Sequence, residues 1–143
     1  MIGIVLVAHE RVGESMLAAL EHVLGPQALT GALSVGIDAD INADMNDLQT
    51  RLGTMINRCD AGRGVLLFAD MFGGTPCNLA LACMQAHNIE VVSGFNLPML
   101  VKAASLRQSL NDLPLLARKC RESGRQHMHI ASELLAEQDG RHG

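Results

Sequence analysis

The sequence predicts an α/β fold: a doubly wound, mostly parallel sheet of strand order 2-1-3-4 with helices on both faces. Three observations predict it. Four short apolar runs bounded by turn residues, at 2–8 (IGIVLVA), 32–37 (ALSVGI), 64–69 (GVLLFA) and 89–93 (IEVVS), have the unbroken hydrophobicity of strands covered on both sides. Segments of helical periodicity separate these runs. The connections are short, which favours right-handed crossovers and hence parallel strands.

Taken in order, the first strand leads to a helix whose apolar stripe is Met16, Leu17, Leu20, Val23 and Leu24, ended by Gly25-Pro26. The second strand is followed by a stripe of Met45, Leu48, Leu52, Met55 and Ile56. Both have the spacing of a helix laid on a sheet. After the third strand, Thr75 reads as an N-cap and Pro76 as the first helical residue of a helix reaching about His87-Asn88. A fourth helix is expected from Asn96-Leu97-Pro98, and a fifth from Asp112-Leu113-Pro114 to Gly124. The segment QHMHIAS that follows alternates Met128 and Ile130 with His127 and His129, as on an edge strand.

A chain of 143 residues suits one domain with one core. The formal net charge is −4, and the 11 Lys and Arg form no basic cluster, so a nucleic-acid surface is not expected. The apolar run at the start lacks a basic lead-in and is needed for the core, which excludes a signal peptide or a membrane insertion in this reading. A cytoplasmic protein is expected. Cys59, Cys77, Cys83 and Cys120 have no C-x-x-C pairing and read as reduced, mostly buried thiols. Eight methionines help to fill a core that has no Trp or Tyr.

The chemistry is expected at the carboxyl ends of strands 1 and 3. In order 2-1-3-4 these strands are neighbours whose following helices leave on opposite faces, opening a crevice there. His9 follows the first strand and Asp70 the third, so two residues far apart in sequence meet in that crevice. A carboxylate that accepts a hydrogen bond from one imidazole nitrogen fixes the tautomer and stabilises positive charge on the ring. The other nitrogen becomes an aimed nucleophile. If the electrophile is phosphorus, its equatorial oxygens need donors. Gly73 and Gly74 bring backbone N–H groups close, and the helix starting at Thr75 adds its free amides, its dipole and a hydroxyl. Each of these residues alone also has a structural reading, as turn, bend, cap or packing group; it is their convergence in one crevice that points to chemistry.

Other motifs point nowhere in particular. His127 and His129 lack a third ligand, so no metal site is expected. Ser15 lacks the second glycine of a nucleophile elbow. No P-loop or G-x-G-x-x-G is present, so neither ATP nor NAD, nor any other cofactor, is expected.

IVLVAHE, DMFGGTPCN and SGFNLPMLVKA, in that order, resemble the three motifs of the mannose-class (mannose/fructose/sorbose) enzyme IIA domains of the bacterial sugar phosphotransferase system (PTS). The resemblance spans nearly the whole chain and implies a domain at 1–135 with a frayed tail at 136–143. It implies a phosphotransferase component that uses no ATP of its own: His9 receives a phosphoryl group from the phosphocarrier protein HPr and passes it to a IIB acceptor, or its phosphorylation state regulates carbohydrate metabolism. By motif position Asp70 orients His9, Thr75 touches the phosphoryl group, and Asn96, Leu97 and Pro98 form a loop near the site. It further implies a homodimer that exchanges its last strand, residues 126 to 131. The sequence departs from the pattern where Glu10 and Arg11 follow the histidine in place of the usual glycine, and where Cys77 stands in place of an aromatic residue. The phosphocarrier subunit of dihydroxyacetone kinase resembles the family in fold and histidine but lacks the Phe-Gly-Gly-Thr-Pro run. A non-catalytic sensor that responds to phosphorylation of His9 and a binding domain for a free anion are the alternatives from other classes. The absence of an Ala- and Pro-rich linker and of a second domain leaves the choice between sugar uptake and regulation open.

Overall fold

The computed structural model describes residues 1–36 and 44–142. The elements run β1 (Gly3–His9), α1 (Val12–Leu24), β2 (Thr30–Val35), α2 (Met45–Cys59), β3 (Val65–Ala69), α3 (Gly74–Ala82), β4 (Ile89–Ser93), α4 (Leu97–Leu106), α5 (Leu113–Gln126) and α6 (Ala131–His142). The four strands form one sheet of order β2-β1-β3-β4, parallel at every pairing. Ile37, the last residue of the expected second strand, lies outside the described residues.

Side chains alternate between the two faces of a strand, and here both faces are covered. Val5 and Val7 of β1 and Val65 and Leu67 of β3 join Leu48, Leu52 and Ile56 of α2 and Cys77 and Leu79 of α3 in one core layer. Ile4 and Leu6, with Leu66 and Phe68, join Leu20 of α1, Leu100 of α4 and Leu116 of α5 in the other. The helices after β1 and β3 therefore lie on opposite faces. That divergence opens the crevice at the carboxyl ends of these two strands. The four cysteines are free and buried, and burial pushes the Cys120 thiol up to about 12.

The structure differs from expectation at several boundaries. Val23, Leu24 and Met45 of the two helical stripes are exposed, because they occupy terminal turns while the middle of each helix covers the sheet. The N-cap of α3 is Gly73, not Thr75, which places Thr75 and Pro76 inside the first turn. This helix stops at Ala82 instead of His87-Asn88, where its last bonds tighten to Cys83 N–H with the Ala80 carbonyl and Met84 N–H with the Leu81 carbonyl. Asn88 is then held at the sheet by the Val65 N–H, which its carbonyl accepts. Gly124 lies within α5 and does not end it. A Cβ there would overlap the Met99 side chain, so this glycine permits close approach of α4 and α5.

The C-terminal segment also differs. Residues 128–130 form no strand in this chain, and α6 begins at Ala131 and takes in most of 136–143. A lone strand needs an edge to pair with, and within this chain residues 128–130 pair with neither outer edge of the sheet.

Arg107 was not legible in the sequence. It is fully buried, donating to the Ile2 carbonyl (3.2 Å), Gln27 Oε1 (3.0 Å) and the Ala28 carbonyl (2.7 Å), and it ties the end of α4 to the amino end of β1. Burial lowers its pKa, and among the described residues no carboxylate pairs with the desolvated charge.

Two glycines make the packing testable. A Cβ on Gly3 would run into the Cys59 backbone carbonyl, whereas one on Gly31 would meet the flexible Met55 thioether at 2.8 Å. Gly3→Ala is expected to cost about 1–3 kcal/mol and Gly31→Ala under about 1 kcal/mol, measured by urea unfolding. Equal costs at the two sites would contradict the contrast between rigid backbone and movable side chain.

Candidate functional site

His9 is the last residue of β1, paired in register with Val35 of β2, and Asp70 is the first residue after β3. A fully buried apolar strand carries each to the same rim, where the chain must turn and polar groups reach solvent. The Asp70 Oδ2 atom accepts two hydrogen bonds from His9, one from its backbone N–H (3.0 Å) and one at its Nδ1 (2.9 Å). Oδ1 accepts from the Met71 N–H at 3.1 Å. One carboxylate thus fixes the histidine backbone, its ring and the following loop.

An ionised carboxylate only accepts, so Nδ1 carries the proton and Nε2 presents its lone pair. The His9 side chain is 45% exposed while that of Asp70 is 17% exposed, so the ring stands outward on a sheltered base. Gly74 lies beside its outer edge: a Cβ there would sit 3.4 Å from Cε1 and 3.6 Å from Nε2. Gly73 and Gly74 have φ of 84° and 77°, a region that side chains resist. Both the turn and the closeness to the imidazole call for glycine at position 74.

The helix starts differ in a telling way. Helices α2, α4 and α5 are capped by Asp44, Asn96 and Asp112, whose side chains accept from the amides of Asp47, Met99 and Leu115. Helices α1 and α3, which open directly after His9 and after the Gly-Gly turn, have no side-chain cap. Their first amides and positive dipole ends are left for an anion. Thr75, half-buried in the first turn of α3, adds a hydroxyl there.

The structure brings His9, Asp70, Gly73, Gly74 and Thr75 to one place. It does not bring Asn96, Leu97 and Pro98 into bonding contact with them. Asn96 Oδ1 accepts from the Met99 N–H and its Nδ2 donates to the Gly124 carbonyl, both at 3.1 Å, while Leu97 packs into the core and Pro98 occupies the first turn of α4. Their loop nonetheless borders the same end of the sheet, through the Gly94 N–H on the Ala69 carbonyl (2.9 Å) and the edge-on contact of Phe95 with Phe68. Sequence reasoning missed the exposed rim beside the histidine, Met71 and the 74% exposed Phe72. The signal was their place in a loop between strand end and helix start.

A groove of about 550 Å³ lies between β4 and α5, lined by Glu90, Arg118, Arg121, Arg125 and Met128 and reaching Gly94 and Asn96. The His9 side chain, by contrast, faces solvent at the mouth of its crevice. Such a position admits the face of another macromolecule more readily than it engulfs a small ligand. Among the described residues no group of three or more His, Cys, Asp or Glu could hold a metal ion, and no helix is long and apolar enough to cross a membrane.

Burial pushes the Asp70 carboxyl up, but the His9 amide, the His9 ring and its positive charge when protonated, and the residue's own amide outweigh it, leaving the pKa below the ordinary value. A depressed native pKa contributes stability above the unfolded value of about 3.9, and that contribution is lost as pH falls through the native one. Asp70→Asn should therefore lose more stability relative to wild type at pH 7 than at pH 2–3, compared by urea unfolding. A difference independent of pH would mean that the carboxylate is not held as described.

The sequence model of the EIIA-man family, described as the PTS system fructose IIA component, matches residues 3–118. The mannose-specific EIIAB component of the PTS in Escherichia coli (strain K12) is 29% identical over 126 residues, 87% of this chain and 38% of that protein. The chain thus spans about two fifths of the length of that curated relative. Among solved structures, the PTS component EIIA from Streptococcus agalactiae superposes with a TM-score of 0.81 at 26% identity, covering 93% of this chain and 99% of that one. The mannose/sorbose-specific IIA subunit from Enterococcus faecalis gives a TM-score of 0.74 at 26% identity, covering 90% and 93%.

Proposed function

Because the chain belongs to the EIIA-man family of PTS IIA components, we propose that it is a phosphoryl carrier whose reactive atom is Nε2 of His9. The observation that carries this reading is the 2.9 Å bond between Asp70 and Nδ1 of His9, with the outer side of the ring facing an uncapped helix start. The donor is phosphorylated HPr. The Nε2 lone pair attacks phosphorus, the donor's P–N bond breaks, and its electron pair returns to the donor imidazole. The charge gained by the His9 ring is balanced by Asp70.

The equatorial oxygens of the transferring group carry negative charge throughout, and the amides of Gly74 and Thr75 and the Thr75 hydroxyl answer it. The α1 and α3 dipoles add to this from either side of the crevice. The reverse sequence delivers the phosphoryl group to a IIB protein, or the phosphorylated state is itself read by a partner that regulates carbohydrate metabolism. Neither ATP nor a metal takes part, and the protein works in the cytoplasm. Asn96, Leu97 and Pro98 act from the bordering loop by shaping the docking rim.

The protein works as a homodimer. Its support is the unpaired outer edge of β4, the groove beside it, and the exposed Met128, Ile130 and Leu135 that follow α5. Residues 126–131 of each copy then pair as a strand on β4 of the other, and the acids of α6, Glu133 and Glu137, approach the arginines of α5.

His9→Ala is expected to abolish phosphoryl uptake from labelled phospho-HPr, and Asp70→Asn to slow it by about ten- to a thousandfold without unfolding the protein. Label retained in His9→Ala would remove the histidine from the mechanism. Light scattering should report a dimer for the intact chain; a monomer even at high concentration would refute strand exchange.

A further inference from the structure

Glu10, next to the proposed nucleophile, occupies a conformation that its type resists. Its φ is 52°, and Leu29 is the other non-glycine residue with positive φ among those described. A side chain in this left-handed region costs about 1 kcal/mol or more, and such strain gathers at functional sites. The backbone is held there by the Glu10 N–H donating to the Val35 carbonyl at 2.7 Å. The carboxylate lies over the end of β2, with Oε1 3.5 Å from where a Cβ on Gly36 would stand.

Its charge is not cancelled. The adjacent cation, Arg11, pairs instead with Glu14 at 3.3 Å, and Glu10 makes no ion pair among the described residues. The Asp70 carboxylate is engaged by Nδ1 and the His9 amide. Glu10 is thus an uncompensated anion one peptide from His9. Neighbouring Cα atoms are about 3.8 Å apart, so the carboxylate stands on the order of one Debye length, about 8 Å at physiological salt, from the histidine ring. A phosphoryl group adds about −1.5 to −2 charges at the ring, and the cost of bringing that charge near a carboxylate falls on the phosphorylated form alone.

We infer that Glu10 sets the phosphoryl-transfer potential of His9, its carboxylate destabilising the phosphorylated form relative to the free one and so favouring onward transfer. The inference rests on the carrier reading above. Glu10 acts on phosphorylated His9 through space, touching neither the ring nor the donor, and the strained backbone fixes where its charge lies.

The test equilibrates the full chain with a fixed ratio of phosphorylated to free HPr and reads the fraction of His9 phosphorylated by phosphorus NMR. Glu10→Gln, which keeps shape and backbone strain but removes the charge, should raise the equilibrium constant for uptake by about two- to tenfold at low salt. The increase should shrink towards unity near 1 M salt, and Glu10→Asp should stay near wild type. Equal constants in wild type and Glu10→Gln, both phosphorylated on His9, would overturn this inference and leave the carrier reading intact. A change that Glu10→Asp shares and salt does not move would overturn it as well, in favour of a purely structural role. Failure of all three proteins to take up phosphate on His9 would overturn the carrier reading and this inference together.

Discussion

The bond between Asp70 and His9 is the constraint on which the rest of the site depends. A single carboxylate oxygen holds both the backbone amide and the ring of the histidine, so the ring cannot turn without losing a partner that the backbone continues to hold. The other oxygen fixes the start of the loop that leads to Gly73 and Gly74. Position of the proposed nucleophile and position of the proposed anion cradle are therefore set by one group. The sheet makes this possible, because β1 and β3 are hydrogen-bonded neighbours whose register sets Val7 opposite Ala69, so His9 and Asp70 follow at adjoining positions.

The use of helix ends follows from the same geometry. Helices α2, α4 and α5 satisfy their first amides with Asp or Asn side chains, a stabilisation of about 1 kcal/mol each. The two beginning at the crevice do without it. Stability left unused at these termini becomes affinity for negative charge. Glu10 opposes that affinity, and the balance between the helix ends and this one carboxylate decides how firmly an anion is held.

β4 exposes its outer side beside Arg118, Arg121 and Arg125 of α5. The same arginines are complementary to an acidic segment. The residues after α5 carry exposed apolar side chains and lead into a helix that is exposed along most of its length. These uncovered groups and the open edge are the two halves of the interface proposed for the homodimer.

Much of the fold was legible in the sequence. Four apolar runs and the helical stripes between them gave the strands, the helices and a sheet covered on both faces, since burial on both faces leaves no polar alternation and periodicity follows directly from residue type. His9 and Asp70 were legible for the same reason: they are the first chemically active residues after buried strands that must lie side by side. What tertiary structure alone decided were contacts between residues with no local signature. Gly124 serves the approach of Met99 and does not end a helix, Arg107 holds three groups from the other end of the chain, and Asn96 is drawn into capping α4 and anchoring α5. The left-handed turn at Glu10 belongs here too, because it is imposed by the bond to Val35 on the neighbouring strand. Local propensity determined which segments became strands and helices; distances between segments, which no local pattern encodes, decided what each polar group at their ends was free to do.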